Sequence, residues 1–282
     1  MTDIVLPNVD QLAAEVPDGA KIVVFKAEGG SAAMAATHAL IRRGVKDLHI
    51  VTAPTSGLQA DMLIGAGCVA TVETSGVTMG EYGQAPCFGR AVRSGAIRVI
   101  DSTCPAVYAG LQAGEKGIPF MPLRGLIGSD IVKYRDDYRI IDNPFGEDDP
   151  VVALPAIIPD IALFHVPLAD RFGNVYVGRN AELKIMAHAS RKTLVTYERL
   201  YDGNLQDTDE LAAGAISDLY IDAIAEAPQG AWPYGVTGQY DDDPEQFAKY
   251  MTMAQTEEGF AAYLDEFVYG RADGPAVAVA AE

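Results

Sequence analysis

The sequence is short of three things: cysteine, positive charge and long apolar runs. Its 282 residues include three cysteines, Cys68, Cys87 and Cys104. An odd number fits no disulfide framework, and the CxxC or Cys/His spacing of a zinc site is missing. We therefore expect reduced thiols and no bound metal.

Positive charge is outnumbered, with 21 Lys and Arg against 39 Asp and Glu and a formal net charge of −18. Such a surface repels phosphate backbones, so nucleic acid is excluded as an expected partner. No apolar run approaches the roughly 18 to 20 residues that span a bilayer. The start "MTDIVLPNVDQL" has no basic region followed by an apolar one. We expect a cytoplasmic protein without membrane contact.

Strand and helix patterns alternate through most of the first two-thirds of the chain. "KIVVFKA" (21–27) is β-branched and apolar, "SAAMAATHALIRRG" (31–44) is typical of a helix ended by glycine, and "DLHIVTA" (47–53) is again a strand. The alternation continues through the strands "CVATVET", "AIRVID" and "IPFMP". It predicts an α/β fold: a mixed, largely parallel sheet with helices on both faces.

The pattern changes after residue 150. "DIALFHVPLAD" and "VYVG" read as two strands of a hairpin turned at "DRFGN", which makes the sheet mixed. A Gly, Pro and Asp-rich loop follows residue 227, and amphipathic helices form a C-terminal extension over about 243–270. No linker separates two units, so residues 1–282 are expected to form a single domain.

Glycine-rich turns follow several predicted strands. Gly29, Gly30 and Ser31 in "KAEGGSAAM" lie between a strand and a helix, where backbone N–H groups bind phosphate or carboxylate; a simple tight turn is the alternative. The loop in "VETSGVTMGEYGQAP" offers Glu73 and then Ser75, Gly76, Glu81 and Gln84. Gly128 and Ser129 occupy a further loop. Ligands of open α/β folds bind at such strand ends, although a polar surface loop needs no ligand.

Cys104 lies at another strand end, in "DSTCPAVYAGLQAG". Polar residues precede it and Pro105 favours the first turn of a helix, so the thiol is expected to face a cleft at the helix N-terminus. The alternative is a small core hydrophobe. The four histidines lie inside predicted helices or strands without a nucleophile beside them, and each is interpreted as structural.

Several longer segments carry a family resemblance that extends over nearly the whole chain. They are "GVKDLHIVT", "ADMLIGAGCVATVETS", "FGRAVRSGAIRVID", "AGLQAGEKGIPFMPLRGLIGSDI", "PDIALFHVPLADRFGNVYVG", "KTLVTYERL" and "YDDDPEQFAKYM". In this order they resemble the A (alpha) subunits of class I coenzyme A transferases, in the glutaconate CoA-transferase branch. The resemblance implies the fold shared by CoA-transferases and ribose-phosphate isomerase.

The resemblance also implies a reaction. In this family a glutamate attacks an acyl-CoA substrate and becomes a glutamyl-CoA thioester before CoA passes to a carboxylic acid. That glutamate is a residue of the B (beta) subunit, so the chain is expected to work with a B subunit as its partner, and Glu73 is only a secondary candidate. The wall of the cleft on this chain would consist of the loops at Gly29–Ser31, Ser75–Gln84, Ser102–Pro105 and Gly128–Ser129.

Cys104 departs from the family pattern. It aligns where some relatives carry a glutamine that helps to bind the oxyanion and where the glutaconate branch carries a glutamate. The related steroid ring-opening hydrolases also place a glutamate near this position. A thiol does not replace a carboxylate as a general base, which weakens the interpretation as a CoA-ester hydrolase or ring-opening enzyme. A non-catalytic subunit that completes a partner's fold is a third hypothesis.

Overall fold

The computed structural model describes residues 4–25 and 30–270. Its strands are β1 (Val5–Leu6), β2 (Lys21–Phe25), β3 (Leu48–Ala53), β4 (Val69–Thr74), β5 (Arg98–Asp101), β6 (Phe120–Leu123), β7 (Arg139–Asp142), β8 (Pro150–Pro155), β9 (Ile161–Asp170), β10 (Val175–Tyr176), β11 (Lys192–Tyr201), β12 (Ala215–Ile216) and β13 (Ala223–Glu226). Ten of them form one sheet. Its order is β1-β13-β11-β9-β2-β3-β4-β5, with every adjacent pair parallel. β10 pairs antiparallel with β9 and β12, so the predicted mixed, largely parallel sheet is confirmed.

Helices cover both faces of this sheet. They are α1 (Val9–Ala14), α2 (Met34–Arg43), α3 (Leu58–Gly65), α4 (Pro86–Ser94), α5 (Cys104–Glu115), α6 (Ile131–Tyr134), α7 (Ala181–Ala189), α8 (Asp209–Ala213), α9 (Pro244–Met253) and α10 (Glu257–Phe267). On one face α1 to α4, α9 and α10 share a core with Ile22 and Val24 of β2. On the other, α5 and α7 pack on Val23 and Phe25. This alternation is the two-residue period of a strand buried on both sides. Over the described residues, no helix combines the length and the apolar character needed to cross a membrane.

A second, smaller sheet contradicts one sequence-based expectation. "IPFMP" is a strand, β6, but it belongs to an antiparallel sheet of order β6-β8-β7 and not to the parallel sheet. Met121 and Leu123 pack with Val152 and Leu154 against α5. Pro122 has no N–H to donate to a central ladder, and its exposure fits an outer layer better than a strand that is buried on both faces. β5 is therefore the edge of the main sheet.

The C-terminal extension forms two helices, α9 and α10. Phe247 and Tyr250 of α9 and Phe260 and Tyr263 of α10 are buried in the core that α2 and α3 share. The two helices are therefore packed into one face of the sheet, as their amphipathic pattern predicts.

Asp61 joins three helices through one buried carboxylate. Its oxygens accept hydrogen bonds from Cys87 N at 3.3 Å and Phe88 N at 2.7 Å, both in the first turn of α4, and from Tyr250 Oη at 2.6 Å. Burial raises the pKa of Asp61 and outweighs these hydrogen bonds. The carboxylate caps α4 from α3 and fixes α9 beside both.

Replacing Asp61 with alanine should lower the free energy of unfolding by on the order of 3 kcal/mol, because three buried donors lose their acceptor. Asp10→Ala is the control, since it removes an exposed ion pair with Arg42 and should change stability by less than about 1 kcal/mol. Urea unfolding followed by circular dichroism measures both. Similar losses in the two variants would contradict the capping role.

Candidate active site at the carboxyl edge of the sheet

The carboxyl ends of β3, β4 and β5 lie side by side. Thr74 pairs with Asp101 at the end of the ladder. The contact continues past the strands, because Ser102 N donates to Thr74 O at 3.0 Å and Ser75 N donates to Pro54 O at 3.4 Å. The loops after these three strands are therefore joined at their first residues.

Ser75 and Cys104 meet at this edge. Ser75 Oγ donates to Pro54 O at 2.8 Å and lies 3.1 Å from Cys104 Sγ. Because the serine proton goes to the carbonyl, the thiol is the donor in the second contact. Cys104 is the first residue of α5, after the cap Thr103, and it is exposed, as the polar residues before it predict. The pair offers a hydroxyl oxygen and a thiol to a ligand at a helix N-terminus.

The loop from Ser75 to Gln84 is folded back on the sheet edge. Gly76 N donates to Thr74 Oγ1 at 2.8 Å, and short bridges join Ser56 to Val77 and Thr78 to Gln84. Glu81 and Gln84 are exposed; Glu81 lies in a short 3₁₀ helix, Gly80–Tyr82. Ser75 is therefore the residue of this loop that contacts Cys104, and Glu81 and Gln84 belong to the turn that the Thr78–Gln84 bridge closes.

The glycine turn, Gly30–Ser31, lies at the carboxyl end of β2, while Gly29 is outside the described residues. A Cβ on Gly30, whose φ is +84°, would lie 2.5 Å from Gly235 O, so only glycine fits. Ser31 O accepts from His165 N at 2.9 Å, and Ser31 Oγ accepts from Asn180 Nδ2 at 2.7 Å. The turn is therefore held from two sides.

The strand before Gly128 and Ser129 is not part of the main sheet, so their place in the wall of the cleft stays a prediction. They follow β6 of the small sheet and precede α6, with local hydrogen bonds from Ser129 N to Leu126 O and from Ile131 N to Ser129 Oγ. Their expected place in the wall assumed a strand of the parallel sheet before them. That assumption is wrong, for the reason that removes β6 from the sheet.

Glu73 is buried in an ion-pair cluster on the α5 face of the sheet. Its carboxylate accepts from Arg135 Nη2 at 3.0 Å and from Lys21 Nζ at 3.1 Å, and His49 Nε2 lies 3.5 Å away. Only 4% of Glu73 is exposed. Arg135 is itself shared with Asp137 at 2.8 Å. Both carboxylate oxygens of Glu73 thus have cationic partners.

The same residues line a cavity of about 440 Å³ between β5 and residues 131–137, which are α6 and the three residues after it and are called the α6 segment. Burial raises the pKa of Glu73, but His49, Lys21 and Arg135 together outweigh burial and hold the pKa at about 2. A carboxylate that is stabilised so strongly as an anion, between two cations, is a poor nucleophile. The cluster binds the α6 segment to the sheet.

Sequence reasoning missed Arg135 and Lys21, the two cations of this cluster. They lie 62 and 52 residues from Glu73 along the chain, so spacing carried no signal. A charged residue inside an otherwise apolar strand, as Glu73 is in β4, was the one available indication of a buried partner. Among the described residues, no group of three His, Cys, Asp or Glu side chains is arranged to hold a metal ion.

Glu73→Gln should destabilise the chain in a pH-dependent way. A lowered carboxyl pKa contributes stability that is present above its unfolded value, 4.5, and lost as the pH falls toward about 2. The difference in unfolding free energy between parent and variant should thus be largest near about pH 6 and shrink toward about pH 3. Urea unfolding across this range measures it, with exposed Glu81→Gln as control. A difference that is constant with pH would contradict the ion-pair account.

Iodoacetamide should label Cys104 in the native chain and leave Cys68 and Cys87 unmodified. Cys68 and Cys87 are buried, and burial raises their pKa values to about 11 and about 12, so the reactive thiolate is scarce. Peptide mass spectrometry identifies the labelled residue. Cys104→Ser should abolish native labelling, and the denatured parent should label at all three positions. Native labelling at Cys87 would contradict the exposure order of the three thiols.

Comparisons with known proteins agree with this architecture. The profile of the family described as Coenzyme A transferase matches residues 7–227. The chain is 31% identical to the A subunit of 3-oxoadipate CoA-transferase from Pseudomonas knackmussii, over 85% of this chain and 84% of that protein. It is 27% identical to the IpdA subunit of a cholesterol ring-cleaving hydrolase from Rhodococcus jostii, over 96% and 94%. An uncharacterized protein of Archaeoglobus fulgidus is 31% identical over 96% of this chain, which spans 60% of that protein's length.

Solved structures show the same fold. The crystal structure of glutaconate CoA-transferase from Acidaminococcus fermentans matches with a TM-score of 0.83 and 27% identity, over 95% of this chain and 89% of that one. A variant of the decarboxylase AibA/AibB matches with a TM-score of 0.78 and 27% identity, over 93% and 99%. The profile, the relatives and the fold agree, and the chain belongs to the Coenzyme A transferase family as a class I subunit of the A type.

Proposed function

We propose that the chain is the A subunit of a two-subunit enzyme that moves CoA from an acyl-CoA to a carboxylic acid. The observation that carries this proposal is the pair Ser75–Cys104 at the carboxyl edge of the main sheet, in a chain of the CoA-transferase family. In the described part of the chain, no carboxylate is hydrogen-bonded to either side chain. Glu73, the nearest glutamate in sequence, is held between two cations. The site therefore offers an uncharged hydroxyl and an uncharged thiol and lacks a carboxylate nucleophile.

The missing nucleophile is supplied by a partner of the B type. Its glutamate attacks the thioester carbonyl, the C–S bond breaks, and an acyl anhydride and CoA thiolate form. The thiolate then attacks the glutamyl carbonyl and releases the acid, which leaves a glutamyl-CoA thioester. The acceptor acid reverses these two steps. This chain binds and orients the acyl group against the partner's carboxylate.

The candidate site residues of this chain each have a proposed role in that scheme. The glycine turn at Gly30–Ser31 and the residues Ser75 and Gly76 form the wall facing the acyl group. When the acyl-CoA binds, the single S–H of Cys104 turns from Ser75 Oγ to the substrate and donates weakly to the carbonyl oxygen, whose negative charge grows as the glutamate attacks. Glu81, Gln84, Gly128 and Ser129 are further candidates for contacts with the CoA moiety. No metal is required by these steps.

The alternative is hydrolysis of a CoA ester on the same scaffold, as the name of the Rhodococcus jostii relative indicates for that protein. Hydrolysis needs a group that activates water, and a thiol at position 104 is less suited to that task than a carboxylate. A non-catalytic subunit is a third possibility. The reaction that the purified complex catalyses distinguishes CoA transfer, CoA-ester hydrolysis and a non-catalytic subunit.

Co-expression with a partner of the B type should give a stable complex that transfers CoA from acetyl-CoA to a short carboxylic acid, while the isolated chain has no turnover. Borohydride or hydroxylamine added with acyl-CoA should trap a glutamyl-CoA thioester, and mass spectrometry should locate it on the partner. Cys104→Ser should retain most of the transfer, and Cys104→Glu should reduce it and favour hydrolysis, because it adds a carboxylate beside the reacting carbonyl.

Transfer by the pure isolated chain would refute the division of labour and return attention to Glu73. Hydrolysis without transfer in the parent complex would favour the alternative. A complex that forms and carries out neither reaction, across short, branched and dicarboxylic acyl-CoA esters, would support the non-catalytic subunit.

A further inference from the structure

A second buried carboxylate, Glu198 of β11, gathers hydrogen bonds beside the glycine turn. It accepts from His165 Nε2 at 2.8 Å, from Gln229 N at 2.6 Å, from Gly230 N at 3.1 Å and from the Tyr240 hydroxyl. The five residues are called the Glu198 cluster below. Glu198 is 8% exposed and His165 1%. Through these four donors the carboxylate joins β11 to two other segments of the chain, β9 and the loop after β13.

The cluster fixes the loop between β13 and α9 on the carboxyl side of the sheet. Gln229, Gly230 and Tyr240 all belong to that loop, while His165 and Glu198 belong to the adjacent strands β9 and β11. His165 Nδ1 lies 2.8 Å from Thr196 Oγ1, which orients the imidazole so that Nε2 faces the carboxylate. A Cβ at Gly230 would lie 2.7 Å from His165 Cε1, so the loop rests directly on the ring.

Two contacts join the cluster and its loop to the glycine turn, and a third joins the loop to α2. His165 N donates to Ser31 O at 2.9 Å. Ala35 N, in the first turn of α2, donates to Gly230 O at 2.9 Å. Gly235 O lies against Gly30, at 2.5 Å from where a Cβ would be. Every contact begins in the cluster or in the loop that the cluster holds.

We infer that Glu198 is a positioning residue: it holds the loop from Gln229 to Tyr240 against β9, and this loop and His165 together fix the Gly30–Ser31 turn and the first turn of α2 for the acyl-CoA substrate. The inference rests on the proposed function for its effect on turnover. Its structural half, the fixation of α2, stands on the contacts alone. Neither half requires the Glu198 side chain to touch substrate.

Glu198→Gln tests the cluster with an isosteric side chain. Its amide donor would oppose either Gln229 N or the three donors on the other oxygen, so at least one contact is lost. Asp170→Asn is the matched control. Asp170 is also buried and also accepts four hydrogen bonds, from Phe172 N, Asn174 N, Asn174 Nδ2 and Leu205 N. Those bonds hold the hairpin turn after β9 and the start of the segment after β11, and none of the four joins Asp170 to Gly30, Ser31 or Ala35.

Amide hydrogen exchange of the purified full chain tests the structural half of the inference, the fixation of α2, without any substrate. Exchange at Ala35 should be faster in Glu198→Gln than in the parent, and unchanged in Asp170→Asn even if both variants unfold at a lower temperature. Ala35 exchange at the parent rate in Glu198→Gln overturns the inference. If Glu198→Gln does not fold, Tyr240→Phe, which removes one donor, decides by the same measurement.

The catalytic half of the inference, the effect on turnover, is tested by measuring kcat/KM of the complex with the partner, at a temperature where all variants are folded. A turn displaced by about 1 Å costs on the order of 100-fold in kcat/KM, and this loss should appear in Glu198→Gln and not in Asp170→Asn. Equal kinetic constants in the two variants, with faster Ala35 exchange in Glu198→Gln, overturn the catalytic half. A parent complex without CoA transfer refutes the proposed function, and the exchange measurement still decides the structural half.

Discussion

The parallel ladder from β9 through β2 and β3 to β4 and β5 is the constraint on which the rest of the structure depends. Parallel strands all end at the same edge, so loops that are far apart in sequence are brought together there. Thr52 and Thr74 show how tightly the ends are joined: their hydroxyls lie 2.6 Å apart and both are buried. Ser75 and Cys104 can meet only because β4 and β5 are paired in this register.

Four buried carboxylates, Asp61, Glu73, Asp170 and Glu198, hold loops or helices to this frame. Burying an anion is costly unless donors surround it. Glu73 uses two cations, Glu198 uses His165 and neutral donors, and Asp61 and Asp170 each use two or more backbone N–H groups. Each carboxylate joins elements distant in sequence, which packing of apolar side chains alone does not specify. The charge of these groups therefore determines where the loops lie, while apolar burial determines that the sheet forms.

The local sequence pattern predicted the main sheet. It could not predict which residues far apart in the sequence pair with each other. β2 to β5 were recognised because apolar runs alternate with helices that end in glycine, and the exposed Cys104 because polar residues and Pro105 surround it. β6 was assigned to the wrong sheet because an apolar pattern fits a strand of the main sheet and a strand of the small sheet equally well. Only Pro122 argued against a central strand. Arg135, Glu198 and Tyr240 carried no signal, since each acquires its partner through the fold and not through spacing in sequence.

The charge of the chain agrees with the proposed division between two subunits. CoA carries phosphates, and a net charge of −18 opposes the approach of such a ligand unless local donors compensate. At the carboxyl edge, the thiol of Cys104, the hydroxyl of Ser75 and the carbonyl of Pro54 form one chain of contacts, and none of these three groups is anionic. In the proposed complex, a glutamate at position 104 would stand beside the partner's carboxylate and the acid substrate, and like charges at close range disfavour the ionised forms. A cysteine there avoids that repulsion, so an uncharged wall on this chain can face an ionised nucleophile on the other.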